Sequence, residues 1–209
     1  MAPLTDHDVL RIVVFKGRTT AEAVAASLRT DAKAAGPRLA SLVDAGLVEP
    51  TGADRVKPTD AGRRHLDDLY AEERAGCQQR IEAALDRFHA PNDVFKEVVT
   101  SWQLRSVGGE PVPNDHRDLE YDGAVLRRLR DDVHTAIVPL IDDAGDALPR
   151  LGLYRERLDD ALGRIDKGEH QYIAHPLLDS YHTVWFELHE ELIRLAGRDR
   201  AVEAAAGRA

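Results

Sequence analysis

The sequence predicts a mainly α protein: an N-terminal winged helix-turn-helix over residues 1–70 plus a C-terminal all-α helical bundle over residues 71–200, with a frayed tail over 201–209. Three observations lead there. The 209 residues are rich in Ala, Leu, Arg, Asp and Glu and only 5% aromatic, which favours helix over sheet. The first seventy residues run helix, helix, helix, two short extended pieces, helix. Beyond Tyr70 the apolar residues recur at helical spacing, with only one long stretch rich in Gly and Pro.

The elements follow in order. Leu4 to Phe15 reads as a helix capped by Thr5 or Asp6, with Val9, Leu10, Val13 and Val14 facing a core. Lys16-Gly17-Arg18 breaks it, and Thr19 or Thr20 caps a second helix carrying Val24, Ala25 and Leu28. A third helix carries Leu39, Leu42 and Val43 and stops at Ala45-Gly46. Leu47–Glu49 and Arg55–Lys57 are extended pieces around Pro50-Thr51-Gly52-Ala53-Asp54, a hairpin-sized connection. Thr59 to Arg63 opens a fourth helix.

Gly36-Pro37 falls where the middle of the third helix belongs. Proline inside a helix costs about 3 kcal/mol, so the helix either starts at Pro37, with Lys33 in the preceding turn, or is kinked there. Further on, Leu69 to Phe88 reads as one helix, interrupted at Ala90-Pro91-Asn92-Asp93. Asp93 then caps another helix through Trp102 and Leu104. Ser106 to His116 reads as the longest loop. Tyr121–Ile141, Pro149–Ile165 and Pro176–Arg200 read as the remaining helices.

The runs TTAEAVAASL, RLASLVDAGLVEP and VKPTDAGRRHL resemble the MarR-type winged-helix module over residues 5–70. That resemblance implies DNA binding by the third helix and the hairpin wing. The residues expected to meet DNA are Lys33, Arg38, Ser41, Arg55 and Lys57. Charge restricts the contact to this part. Residues 1–70 hold ten bases and ten acids, so the whole net charge of −9 falls downstream of Tyr70, where it repels nucleic acid. Within the module the basic surplus is thin, seven bases against five acids from residue 29 to 64.

A second set of segments recurs along the chain: Trp102-Gln103-Leu104-Arg105, Asn114-Asp115-His116, Tyr121-Asp122, Pro149-Arg150 with Tyr154 and Arg157, and Asp179-Ser180-Tyr181-His182 with Trp185 and His189. These are similar to a helical tail of actinobacterial proteins related to pyruvate phosphate dikinase, which also stands alone in proteins labelled as regulators. The similarity covers most of residues 10–200 and is strongest at NDH and DSYHTVWFELHEEL. It transfers little chemistry: the phosphorylatable-histidine motif of those enzymes is absent. Gly108-Gly109 also lacks the Lys-Ser/Thr of a phosphate loop.

The last helical stretch is the most informative. Leu178, Tyr181, Val184, Trp185, Leu188, Leu192 and Leu195 share one side, with His182 and His189 among them, while Glu187, Glu190 and Glu191 fall opposite and are expected in solvent. Three readings of the histidines stand open. They are satisfied core groups, metal ligands, or part of a pocket for a small organic anion. A single ion cannot easily take both, because seven residues separate the rings by about 10.5 Å along the axis. For the anion pocket, Arg105, Arg150 or Arg157 supplies a bidentate clamp, His116, His182 and His189 supply polar contacts, and Trp102, Trp185, Tyr154 and Tyr181 supply walls. The residues identify no cofactor and no catalytic constellation.

The start Met-Ala-Pro-Leu-Thr-Asp lacks a basic segment followed by an apolar run, and no apolar run approaches the ~20 residues of a membrane span. Cys77 is alone, so no internal disulfide forms. A cytoplasmic protein is expected. The function expected is a ligand-responsive DNA-binding transcriptional regulator, homodimeric through helices near residues 65–90. The alternative is a regulatory or interaction subunit of a phosphoenolpyruvate-utilising enzyme, without DNA binding.

Overall fold

Thr5 starts the first helix, α1 (Asp6–Lys16), through a capping box: its hydroxyl oxygen accepts the Asp8 amide and the Asp8 carboxylate accepts the Thr5 amide. The computed structural model describes residues 3–205. It is mainly helical, with two small two-stranded antiparallel sheets. Its contacts divide the chain into two units, Met1–Gly76 and Cys77–Ala209.

In the first unit, Thr20 caps α2 (Ala21–Ser27) by accepting the Ala23 amide, and Asp31 caps α3 (Ala32–Asp44) by accepting the Lys33 amide. The third helix therefore starts five residues before Pro37, which lies inside it, and Lys33 belongs to its first turn and not to the turn before it. Pro37 removes one bond to the Lys33 carbonyl. Lys33 lies on the exposed side of the helix, while buried Ala35, Leu39 and Leu42 hold the helix down. The helix ends in a Schellman turn: Gly46 sits at φ +70°, its amide bonds Val43 O, and the Leu47 amide bonds Leu42 O.

β1 (Val48–Pro50) and β2 (Val56–Pro58) pair antiparallel, with Glu49 opposite Lys57. Thr19, between α1 and α2, adds an antiparallel bridge to Val56, exchanging both amide–carbonyl bonds at 3.0 and 2.9 Å. Thr59 then ties the next helix to the end of α3. Its hydroxyl donates to the Gly46 carbonyl and accepts the Gly62 amide. Gly62 is dictated by this contact, since a Cβ there would stand 2.0 Å from the Leu47 carbonyl oxygen.

α4 (Asp60–Gln103) is one helix, where a break at Ala90–Asp93 was expected. Its residues pass from the first unit to the second at Gly76–Cys77. Pro91 costs about 3 kcal/mol, but it removes only a bond to Arg87, whose side chain is exposed. Phe88, Phe95, Val98 and Trp102 on either side are buried, at about 1.5–3 kcal/mol each, so burial wins.

In the second unit the expected loop at 106–116 is largely a hairpin. β3 (Leu104–Val107) pairs with β4 (Glu110–Pro113), and Gly108 and Gly109 turn between them with φ +62° and +91°. Two positive φ values in succession make the tight turn that glycine pairs favour. α5 (Leu119–Arg128), capped by Asp118, continues through a π-helical turn (Leu129–His134) into α6 (Thr135–Ala147). A 3₁₀ turn leads into α7 (Gly152–Asp166), and Ser180 caps α8 (Tyr181–Leu195). α9 (Arg200–Ala205) replaces part of the expected frayed tail: Glu203 is buried beside His89 and Arg198. The remainder, residues 206–209, lies outside the described residues.

Candidate functional site

Two places in the fold expose polar groups on rigid supports, and a third buries them. In the first unit, α3 and the β1–β2 hairpin expose all five residues expected at DNA: Lys33, Arg38, Ser41, Arg55 and Lys57. Several are held by neighbours. Arg38 Nη1 lies 3.3 Å from Asp6 Oδ1, Ser41 Oγ donates to Asp6 Oδ2 at 2.9 Å, and Lys57 Nζ pairs with Glu49 across the hairpin at 2.8 Å. Arg38 and Lys57 are about half exposed, so these ion pairs are weak, worth about 0–1 kcal/mol each. Ala34, Pro37 and Ala40 are exposed between them, and Asp44 is exposed in the last turn of α3.

The second place is the base of the β3–β4 hairpin, where the segments WQLR, NDH and YD come together. Asp122, buried in the first turns of α5, accepts Asn114 Nδ2 at 2.7 Å and faces His116 Nδ1 at 3.0 Å. The shorter contact, to Asp122, calls for a proton on Nδ1 and leaves Nε2 for a partner, while Asn114 Nδ2 also lies 3.2 Å from Nδ1. Asn114 Oδ1 accepts the His116 amide, and the ring lies 4.3 Å from that of Trp102. His116 holds φ +56°, a region uncommon for any residue but glycine. A strained backbone fixed by a buried carboxylate, an amide and an indole aims a side chain that stays 43% exposed. His170 also meets Trp102, the two rings edge to face at 5.2 Å.

Arg105 stands on β3 in the same region. Its Nη atoms are 3.7 Å from Asp115 and 4.0 Å from Asp118, beyond hydrogen-bond range, and its buried Nε has no partner among the described residues. Tyr121 closes the corner, its hydroxyl directed to the carbonyls of Ser101 and Leu104. The corner thus offers one oriented imidazole nitrogen and one guanidinium short of hydrogen bonds. What these side chains offer a partner is hydrogen bonding and positive charge.

The third place corrects the reading of α8. Glu187, Glu190 and Glu191, expected in solvent, are buried. The cause is α7 and the turn before it, which bring arginines to them. Arg157 holds Asp179 in a fork, Nε to Oδ2 at 2.7 Å and Nη2 to Oδ1 at 2.8 Å, and its Nη2 also reaches Glu187 at 2.7 Å. Arg150 Nε donates to Glu191 at 2.9 Å, and the Tyr154 hydroxyl donates to the same carboxylate at 2.6 Å. Glu190 takes Arg194 and Arg200. Burial alone would lower the Arg157 pKa, but Glu187 and Asp179 more than offset it and raise it. Arg157 and Tyr154 therefore serve the chain's own carboxylates, and Arg150 is bonded to one as well.

The α8 aromatics form core. Trp185 packs against Phe88 and Phe95 at 4.9 and 4.6 Å and donates its indole N–H to Asn92. Tyr181 is fully buried, with its hydroxyl 3.2 Å from His134 Nδ1. His134 Nε2 lies 3.0 Å from Asp159, so the π-helical turn that positions His134 links a buried phenol to a surface carboxylate. The two α8 histidines part company. His182 is exposed, with its ring 5.9 Å from that of Phe95, whereas His189 is buried against Phe88 at 4.6 Å. Burial, with Arg200, His89 and Lys96 nearby, pushes His189 down to about 4.

The residues expected in one anion pocket are thus divided. Trp102, Arg105 and His116 share the hairpin corner. Tyr154 and Arg157 lie in the buried ionic network, Tyr181, Trp185 and His189 in the aromatic core, and His182 at the surface. Asn114, Asp122 and His170 complete the corner; the first two stand in the NDH and YD segments, while nothing in the sequence singled out His170. Among the described residues no group of three or more His, Cys, Asp or Glu is placed to hold a metal ion, and no helix is long and apolar enough to cross a membrane. The chain matches no protein-family model, no curated protein and no solved structure.

Proposed function

We propose that this protein is a ligand-responsive, DNA-binding transcriptional regulator, with a winged helix-turn-helix in its first unit and a helical sensor in its second. The observation that carries the reading is the order α1–α2–α3–β1–β2–α4 with Thr19 bridged to Val56, which fastens the hairpin beside α3. Lys33, Arg38 and Ser41 on α3 and Arg55 and Lys57 on the hairpin are all exposed, with small residues between them that allow close approach to a groove. The acidic surplus beyond Tyr70 keeps the DNA contact to this unit. The working species is a cytoplasmic homodimer joined through the helices near residues 65–90, as a palindromic operator requires.

The ligand is a small organic anion, received at the hairpin corner by Arg105 and His116 over Trp102. A gel shift with the DNA upstream of the protein's own gene tests the first half: retarded DNA at low salt is expected, and none at low salt contradicts it. Addition of small carboxylates or phosphates tests the second half. They shift the affinity of the unsubstituted protein and leave that of Arg105→Ala and His116→Ala unchanged. A protein that fails the gel shift and co-purifies with a phosphoenolpyruvate-using enzyme belongs to the other reading, an interaction subunit.

A further inference from the structure

Arg38 and Ser41, one helical turn apart on the exposed face of α3, share a single carboxylate from another helix. Asp6, the first residue of α1, meets Arg38 Nη1 at 3.3 Å with Oδ1 and accepts the Ser41 hydroxyl at 2.9 Å with Oδ2. This has two chemical consequences. Because Asp6 engages Nη1, the Nε–Nη2 edge of Arg38 is left with no hydrogen bond among the described residues. That edge is a two-donor fork, the same one Arg157 uses on Asp179. Ser41 has one hydroxyl proton, and Asp6 takes it, so Ser41 Oγ offers outward only lone pairs.

Fork and acceptor match different base edges. An arginine fork fits the O6 and N7 acceptors of guanine, and a hydroxyl that can only accept fits the exocyclic amino group of adenine or cytosine. We propose that Asp6 is a specificity-determining positioning residue: it sets α3 to read a guanine with Arg38 and, at a neighbouring base pair, an adenine or cytosine amino group with Ser41. This rests on the DNA-binding reading above and names the class of duplex that site selects. Asp6 also carries a negative charge on the face that approaches phosphates, so it lowers affinity for DNA in general while raising discrimination. Loss of a merely structural group moves both in the same direction; loss of Asp6 moves them apart.

The test is selection from a randomised duplex pool by the full-length protein, followed by affinity measurement on the selected and a scrambled duplex. The unsubstituted protein is expected to enrich guanine at one position by roughly ten-fold and, more weakly, adenine or cytosine at a neighbouring one. Asp6→Ala is expected to lose most of both preferences and to bind the scrambled duplex more tightly. Asp6→Asn keeps an oxygen for the Ser41 hydroxyl but no charge for Arg38, so it keeps the adenine/cytosine preference and loses the guanine one. Ser41→Ala does the reverse and serves as the independent variant. Unchanged preferences in Asp6→Ala, or enrichment of other bases by the unsubstituted protein, overturn the inference and leave the DNA-binding reading standing. Failure of the unsubstituted protein to retain any duplex at low salt overturns both.

Discussion

Two arginine–aspartate pairs, Arg38–Asp6 in the first unit and Arg157–Asp179 in the second, join the same groups to opposite ends. The first is a single 3.3 Å contact between half-exposed side chains. The second is a fork at 2.7 and 2.8 Å around a guanidinium 3% exposed, with Glu187 bound to the same group. A solvated pair exchanges partners at little cost, whereas a buried one loses several kcal/mol per ion if it opens. Arg38 is therefore open to exchange its partner, whereas Arg157 is committed to the fold, although the sequence made the first a candidate for DNA and the second a candidate for an organic anion.

Substitutions can break this contrast. Arg157→Ala leaves Glu187 and Asp179 facing a buried void and is expected to lower stability by about 3–5 kcal/mol in urea denaturation. A loss below about 1 kcal/mol would mean the pair is solvated after all. The buried histidine of α8 gives the next effect. His189 titrates near 4 in the folded protein against about 6.5 unfolded, so the folded state resists protonation. Its contribution is complete above pH 6.5 and is lost as pH falls towards 4, to a limit of about 3 kcal/mol. His189→Phe removes this share of the acid sensitivity, read as a smaller difference between urea midpoints at pH 7 and pH 4.5.

In the first unit the largest single effect is expected from backbone packing, not charge. Gly62→Ala drives a methyl into the Leu47 carbonyl and costs about 3 kcal/mol, the upper end for overpacking, in thermal or urea melts. Asp6→Ala removes one half-exposed carboxylate and is expected to change stability by less than about 1 kcal/mol, measured the same way. A larger loss there would make Asp6 a structural anchor.

The helix starts of the first unit were legible because their signals are local. Thr5, Thr20 and Thr59 each accept an amide three residues on, so a capping residue next to a periodic run is enough to find them. Pro91 misled for the complementary reason, as did the option of starting the third helix at Pro37. Pro37 and Pro91 carry a local penalty that burial of Leu39, Leu42, Phe88 and Phe95 overrides, and burial is not a local quantity. The β3–β4 hairpin was hidden because Glu110-Pro-Val-Pro113 holds two prolines and both strands are largely exposed, so no inside–outside alternation marks them. On α8, periodicity grouped the glutamates opposite the apolar stripe correctly but gave them to solvent. Only the arrival of Arg150, Tyr154 and Arg157 from elsewhere in the unit makes that face buried. At the hairpin corner, WQLR, NDH and YD stood out as segments. That Asp122 would orient His116 depended on a hairpin the sequence did not disclose.

Binding of the full-length protein to duplex DNA as a function of salt tests the central claim most directly, compared with a variant carrying alanine at Lys33, Arg38, Arg55 and Lys57. Each phosphate contact contributes about −0.9 to the slope of log K against log salt on duplex DNA. Any of the four groups that meets a phosphate contributes to that slope, so the unsubstituted protein should show a steep decline and the variant a clearly shallower one with weaker binding. Equal slopes and affinities for the two proteins would contradict the account.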